Sequence, residues 1–468
     1  MSRKRGDTMA LSLGQKAGWG LADMGIVVFV IVKQLLVLAF LTSYLGVDAA
    51  LAGAIATGVL LFDMITDPVV GYLSDRTHTR WGRRFPWMIT GAVVLAVGTY
   101  FMFAVPPGNT PNFNALWFTG FFVVSTIGFT MVAIPYGATA GEMTQDPRER
   151  SAMVAFRMGF ASVGILVGGA LLPALAGGTL EGHAFAALVV APVIIGTVWL
   201  SVFLTRKAPR IALPSSVSPV RMMGLVVQNR AFMRLAILYG VMTFAVALIT
   251  AGLAFAVALI TAGLAFAVIY LIEDTGGTPL SGLAGALGAL SLLLGMFVFG
   301  SILSQVVWVL LSNRVGKTMA LCIGLTAYIA LLIGLYTALP STNVTTVGLL
   351  FLIAGFTNGS YQQIPWAMYP DLMDITREET GEAIEGAFSA IWLFGQKLAN
   401  ALAPGAMGLI LAVYGWRATT EGKVEQLPEA VDALHYAMTL VPAGILALSI
   451  LGLLATYRPL AQKVLARV

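Results

Sequence analysis

Two aspartates four residues apart, Asp63 and Asp67, interrupt an apolar stretch in Phe62-Asp-Met-Ile-Thr-Asp-Pro68. On a helix that spacing places both carboxylates on one face. Two bare carboxylates so close repel each other and tend to keep a proton unless a cation lies between them. Thr66 adds a hydroxyl beside the pair. Pro68 has no N–H to give the carbonyl of Met64, which frees one more oxygen. Ligation by oxygen alone suits Na⁺, or H⁺ through protonation. The plain alternative is a polar pair satisfied by neighbouring helices.

Four more charges fall inside apolar stretches. Lys397 is the only basic residue deep within such a stretch of the second half, and it is the natural counter-charge to the two aspartates. Facing them, it would compete with a bound cation and link cation binding to conformation; a static salt bridge is the simpler reading. Lys33 lies near the middle of the first stretch, whereas Asp23 is shallower and would meet the membrane interface. Arg157 suits contact with an anionic or hydroxyl-rich solute, or a cap on a cytoplasmic ion-pair network. Tyr136, Trp366 and Lys33 join Arg157 as candidate solute contacts.

The elements that hold these groups follow from composition. The chain of 468 residues is 58% hydrophobic and 10% charged, with a mean hydropathy of +0.87. A soluble protein of this length carries more charge on its surface. Apolar runs of about 20 residues, the length that crosses the bilayer core as a helix, recur throughout. Such helices satisfy their own backbone hydrogen bonds, which lipid cannot do. Charges inside them are costly and mark function. The fold class expected is therefore an all-α integral membrane protein. Its spans are 19–45, 50–73, 86–105, 114–138, 154–177, 184–204, 231–272, 282–311, 318–339, 346–369, 385–414 and 435–456.

With an even number of spans both termini share one side. Of the 27 Lys and Arg residues, 22 lie in or beside the segments on that side, and only Arg417 and Lys423 lie on the other. This asymmetry makes the side of the termini cytoplasmic. No cleavable leader is expected, because the basic start runs into no short apolar core with a cleavage site. The net charge of +5 comes from these short loops and implies no nucleic-acid partner. The single Cys322, inside an apolar run, excludes a cysteine-based metal site.

The halves echo each other. Ile134-Pro135-Tyr136 near the end of the fourth span is matched by Ile364-Pro365-Trp366 near the end of the tenth. The expected division is residues 1–204, a cytoplasmic linker 205–230, and residues 231–468. Two six-helix halves so joined form the frame of a rocking transporter with its site between them. The seventh span contains an oddity: Phe244 to Ala254 is repeated without change as Phe255 to Ala265. Splitting this stretch in two would reverse the charge asymmetry, so one overlong, tilted or broken helix is expected. Eleven residues are close to three helical turns, which nearly keeps its faces in phase.

After the second span, Gly71-Tyr-Leu-Ser-Asp75-Arg76 leads to Gly82-Arg83-Arg84. A glycine there permits close helix packing. Asp75, Arg76, Arg83 and Arg84 suit ion pairs that break and reform in a cycle, with Glu142, Asp371 and Asp374 as partners. The faint echo after span eight contributes Arg314.

This loop is similar to the signature loop of the major facilitator superfamily. With Asp63-x-x-Thr66-Asp67-Pro68 ahead and Arg80-Trp-Gly-Arg-Arg84 behind, the chain resembles the glycoside–pentoside–hexuronide:cation symporter branch. The resemblance runs on through Ile134-Pro135-Tyr136-Gly137 and Tyr369-Pro-Asp371 to Glu385-Gly386. It implies twelve helices in two pseudo-symmetric bundles. It also implies a bacterial inner-membrane, multi-pass location and cation-coupled symport of a sugar, glycoside or uronide. The cation site of the branch's melibiose permease falls on Asp63, Thr66, Asp67 and Thr130, and its coupling lysine on Lys397. Its two sugar-binding aspartates fall near Val27 and Ala133, which are not acidic. Lysophospholipid symporters of the same superfamily resemble the pattern too, so a lipid-like or amphiphilic solute is the alternative.

From another class, a membrane-embedded prenyltransferase would use paired aspartates to hold Mg²⁺ and a diphosphate. Twelve spans in two echoing halves, and basic neighbours beside Asp371 and Asp374, speak against it. A transport-incompetent sensor would lack one intramembrane aspartate, yet both are present. The expectation is a monomeric carrier in the lipid bilayer that acts on a small molecule. It needs no cofactor beyond Na⁺ or H⁺ as the coupling ion.

Overall fold

The computed structural model describes residues 11–144, 147–209, 224, 226–261, 279–282, 289–338, 343–380, 385–420 and 424–465. Ser12 starts the first helix, α1 (Leu13–Leu35), by a reciprocal cap with Gln15, and the chain continues helically over Val37–Ser43. Asp48 caps α2 (Ala49–Arg76) by accepting from the Ala50 and Leu51 N–H groups. α3 (Phe85–Phe103) carries Pro86 as its second residue and α4 (Pro111–Met143) begins on Pro111, first-turn positions where the missing amide hydrogen leaves nothing unpaired. α5 (Pro147–Leu166) runs through a π turn at Val167–Leu171 into Leu172–Ala176. α6 (Leu180–Thr205) closes the first half.

The second half contains α7 (Arg230–Thr261), α8 (Ala289–Val315), α9 (Lys317–Ala338), α10 (Val344–Thr380) and α11 (Glu385–Val413). It ends with α12, which starts at Pro428–Met438 and continues through Leu440–Gly452 to Leu465. Among the described residues there is no strand. Eleven of these segments are long and apolar enough to cross a membrane. α11 has the length, 29 residues, with its apolar character diluted by Gln396, Lys397 and Asn400.

Among the described residues, each expected span falls mainly on one of these helices. α10 runs about ten residues past its expected end, because a helix need not stop where hydrocarbon does. α7 is one continuous helix as far as Thr261, and the rest of the duplicated stretch lies outside the described residues. Most of the expected linker lies outside them as well.

Helix pairings repeat between the halves. α1 packs on α5 and α6 as α7 packs on α11 and α12. α3 packs on α4 and α6 as α9 does on α10 and α12, and α2 meets α4 as α8 meets α10. Across the halves, α2 meets α11, α5 meets α8 and α1 meets α7.

The α2–α11 contact is tightest away from the termini. A Cβ on Gly408 would lie 2.4 Å from the Ala49 carbonyl oxygen, and one on Gly405 would lie 2.5 Å from Thr57 Oγ1. Backbone thus meets backbone along Gly53, Gly405 and Gly408. Thr57 donates to the Ala401 carbonyl at 2.8 Å. Beyond the helix ends, the Gly46 N–H donates to the Thr419 carbonyl and the Thr419 N–H to the Thr42 carbonyl. A core built mainly from the first half takes in Leu248, Ala251, Leu293, Met407, Leu411 and Trp416 of the second. That face of the molecule is closed. By contrast, a Cβ on Gly71 would sit 3.6 Å from Ile134, an ordinary contact. The close packing expected of that loop glycine is found instead at the far end of the same helix.

Gly408→Val forces a branched side chain into this seam and should destabilise the protein by about 1–3 kcal/mol. Thermal unfolding in detergent should show a lowered midpoint. Gly58→Val, on an exposed position of α2 with open space around it, should not lower it.

Candidate functional site

Within α2, Asp63 and Asp67 face α11, α1 and α4. Asp63 is 2% exposed. Its Oδ1 accepts from Thr130 Oγ1 of α4 at 2.8 Å. Its Oδ2 accepts from two ammonium groups, Lys33 Nζ of α1 at 3.4 Å and Lys397 Nζ of α11 at 3.3 Å. Lys397 also pairs with Asp67 Oδ2, while Asp67 Oδ1 is buried with no hydrogen-bond partner. Two carboxylates and two ammonium groups thus close a cluster of zero net charge. The ring of Phe129 forms one wall, its centroid 4.0 Å from Lys33 Nζ and 6.0 Å from Lys397 Nζ. Phe29 lies 5.4 Å from Lys33 Nζ.

Burial makes this balance decisive. An unpaired charge taken out of water costs several kcal/mol, and removing one partner of a buried pair leaves such a charge behind. Thr66 stands at the edge of the cluster, its hydroxyl donating to the backbone carbonyl of Asp63 at 3.0 Å. The residues expected as a cation site therefore come together around Asp63, with Lys397 reaching in from the other half. Lys33, expected among the solute contacts, belongs by position to this cluster.

A second group lies nearer the termini. Arg157 Nε of α5 is 3.0 Å from Asp23 Oδ2 of α1. The Arg157 guanidinium carbon is 5.9 Å from the ring of Tyr136 of α4. Trp19 stacks on Tyr136 with centroids 4.8 Å apart and donates from Nε1 to Thr139 Oγ1 at 3.1 Å. The Tyr136 hydroxyl is buried without a partner. α5 comes this close because position 20 of α1 is glycine: a Cβ there would be 2.7 Å from the Arg157 nitrogen.

Asp23 is thus 3% exposed and buried against Arg157, not at the membrane interface as its shallow place in the sequence suggests. The overlooked signal is the spacing of Trp19 and Asp23, which puts an aromatic and a carboxylate on one face of α1. Phe129, adjacent to Thr130, was overlooked because an aromatic in an apolar helix looks like core.

Trp366 of α10 stands in an aromatic group of the second half. Its Nε1 donates to Tyr239 Oη of α7 at 3.0 Å. Tyr239 stacks on Trp392 of α11 at 4.2 Å and on Tyr361 of α10 at 5.6 Å.

In the loop between α2 and α3, Arg83 Nη2 is 2.6 Å and Arg84 Nε 3.3 Å from Glu142 Oε1 of α4. Arg84 Nη1 also donates to Ser74 at 2.8 Å. The expected ion pairs with Glu142 are present, and they lie inside the first half. Arg76 covers the ring of Tyr72 at 4.2 Å. Arg314 is exposed at the end of α8. The side chains of Asp75, Asp371 and Asp374 lie outside the described residues.

Known proteins resemble this chain over nearly its whole length. The profile of a family described as MFS/sugar transport protein matches residues 18–459. An uncharacterized symporter of Synechocystis is 27% identical over 96% of this chain and 94% of its own. The glucuronide carrier protein homolog of Escherichia coli is 24% identical over 92% and 90%. The sodium-dependent lysophosphatidylcholine symporter 1 of Gallus gallus is 24% identical over 88% and 81%. Among solved structures, a bacterial homolog of the human lysosomal transporter Spinster superposes with a TM-score of 0.63 at 15% identity, covering 97% of each chain. That likeness shows the fold.

The charge balance can be tested without any solute. Asp67→Asn and Lys397→Met should each lower stability in detergent. The double variant should lose less than the sum, with a coupling of about 0.5–3 kcal/mol. Strict additivity would show that the two side chains do not depend on each other.

Proposed function

We propose cation-coupled symport of a small solute by alternating access, on the ground that this chain belongs to the MFS/sugar transport protein family. It is a multi-pass membrane transporter of the major facilitator type and not an enzyme. The finer reading is transport of a sugar, glycoside or uronide together with Na⁺ or H⁺. The protein would sit in a bacterial inner membrane with both termini in the cytoplasm.

The observation that carries the reading is the reach of Lys397 from the second half to Asp63 and Asp67 in the first. A rocking motion that separates α2 from α11 at this level must take the ammonium off the carboxylates. It would leave uncompensated negative charge unless a cation replaces it. Cation arrival and movement of the halves are thereby linked, and by reciprocity solute and cation tighten each other's binding by one factor. The face away from the termini is packed shut along the α2–α11 seam, so in the proposed orientation the carrier is closed to the outside. Arg157, its side chain 41% exposed and held by Asp23, supplies charge to a solute on the side of the first half. Trp366, the exposed member of its aromatic group, supplies an uncharged ring face on the other side.

The named cargo of the Gallus gallus relative favours a second reading, a lipid-like solute. Uptake into proteoliposomes of labelled glucuronides, glycosides and lysophosphatidylcholine, driven in turn by a Na⁺ and a pH gradient, separates the two. Asp67→Asn should abolish accumulation against a gradient, and Arg157→Gln should reduce uptake by about tenfold, about 1.4 kcal/mol. Gradient-driven uptake that survives Asp67→Asn would remove Asp67 from the cation site.

A further inference from the structure

We infer that Lys33 is a tethered counter-ion that occupies the place of sodium, so this transporter works without Na⁺. The inference rests on the symport reading and decides which ion that reading can use.

Charge leads to it first. Asp63 and Asp67 bring two negative charges, and Lys397 returns one positive charge from the opposite half. The remaining negative charge is what one monovalent cation would balance. The structure balances it with a side chain: Lys33 is 6% exposed, and its Nζ is 3.4 Å from Asp63 Oδ2, over the ring of Phe129. A sodium ion added to this group would make it net positive among Phe29 and Phe129, at a cost of several kcal/mol.

Oxygen supply points the same way. Hard cations gather about six oxygens. Asp63 Oδ1 already holds the Thr130 hydroxyl, and Oδ2 holds both ammonium groups. Asp67 Oδ2 holds Lys397, and the Thr66 hydroxyl proton is committed to a backbone carbonyl. Asp67 Oδ1 and the lone pairs of the Thr66 and Thr130 hydroxyls, whose protons are already donated, are what these side chains leave to an ion, fewer than about six oxygens.

Topology makes the substitution durable. Lys397 belongs to the second half and can leave when the halves rock. Lys33 is on α1, in the same half as both aspartates, so it stays with Asp63 throughout a rigid-body movement. The second charge of the pair is therefore neutralised in every state, and the negative charge that Lys397 exposes on leaving is the only one available to a coupling ion. A single carboxylate beside a resident ammonium suits a proton or no ion, not sodium.

The test is binding of radioactive sodium to the purified full-length protein, with choline chloride holding ionic strength constant. Wild-type protein should show no saturable binding. Lys33→Met, monodisperse by size-exclusion chromatography, should acquire saturable binding that the added Asp63→Asn change abolishes. Saturable, Asp63-dependent binding to wild type overturns the inference, and so does a folded Lys33→Met protein that still binds no sodium. Lys33→Gln serves where the methionine variant does not fold, and the wild-type arm decides in either case. The assay needs no solute. Sodium binding by wild type would sink this inference and leave symport standing, whereas absence of solute uptake under every gradient would sink symport alone.

Discussion

Charge neutrality in a place that water does not stabilise is the constraint on which the rest of this molecule depends. Four side chains from three helices must meet within about one hydrogen-bond length, and none of the four is tolerable there by itself. α2 supplies both carboxylates from one face, α1 supplies Lys33 from within the same half, and α11 supplies Lys397 from the other. The positions of these three helices are therefore set by electrostatics as well as by packing. The glycine seam further along α2 and α11 lets the backbones approach closely enough for Lys397 to reach. Bulk at Gly53, Gly405 or Gly408 would act on the cluster through distance alone.

Polarity is graded across the two halves. The first half holds Asp23, Arg157, Lys33 and the aspartates, whereas α7, α10 and α11 bring together Tyr239, Tyr361, Trp392 and Trp366, of which Trp366 is the exposed ring. A solute held between them would meet ion pairs on one side and ring faces on the other. Aromatic faces suit the apolar C–H faces of a pyranose and the chain of an amphiphile alike. Discrimination of a solute held there would rest on the charged side, where an unmatched polar group is expensive.

Much of this was legible in the amino-acid sequence because membrane insertion imposes long apolar runs and a one-sided distribution of Lys and Arg. Helix number came from those rules, the pairing of Asp63 with Asp67 from their four-residue spacing, and Thr130 from the family resemblance. What escaped was anything that depends on which way a helix is turned. Asp23 looks interfacial when counted from the end of α1, yet the rotation of α1 against α5 buries it on Arg157. Lys33 looks like a solute contact until the same rotation directs it to Asp63. Gly71 looks like a packing glycine because its motif is conspicuous, while Gly408, in an unremarkable stretch, makes the closer approach. Rotation is fixed by neighbours distant in the chain, and hydrophobic patterning in a helix apolar on every side does not encode it.

The duplicated segment of α7 has a consequence in the genetics of the chain. Leu248 and Ala251 of the first copy are in the shared core, and a Cβ on Gly252 would strike Met438 and Met407. The first copy therefore holds the register of α7 against α11 and α12. Removing either copy leaves one and the same polypeptide, in frame, with that register intact. Direct repeats in a gene are prone to contract during replication, so the present sequence and its shortened form are neighbours by a single event. Eleven residues are close to three turns of an α-helix, so the repeat nearly keeps its own helical phase. All four side chains of the charge cluster lie outside the repeat.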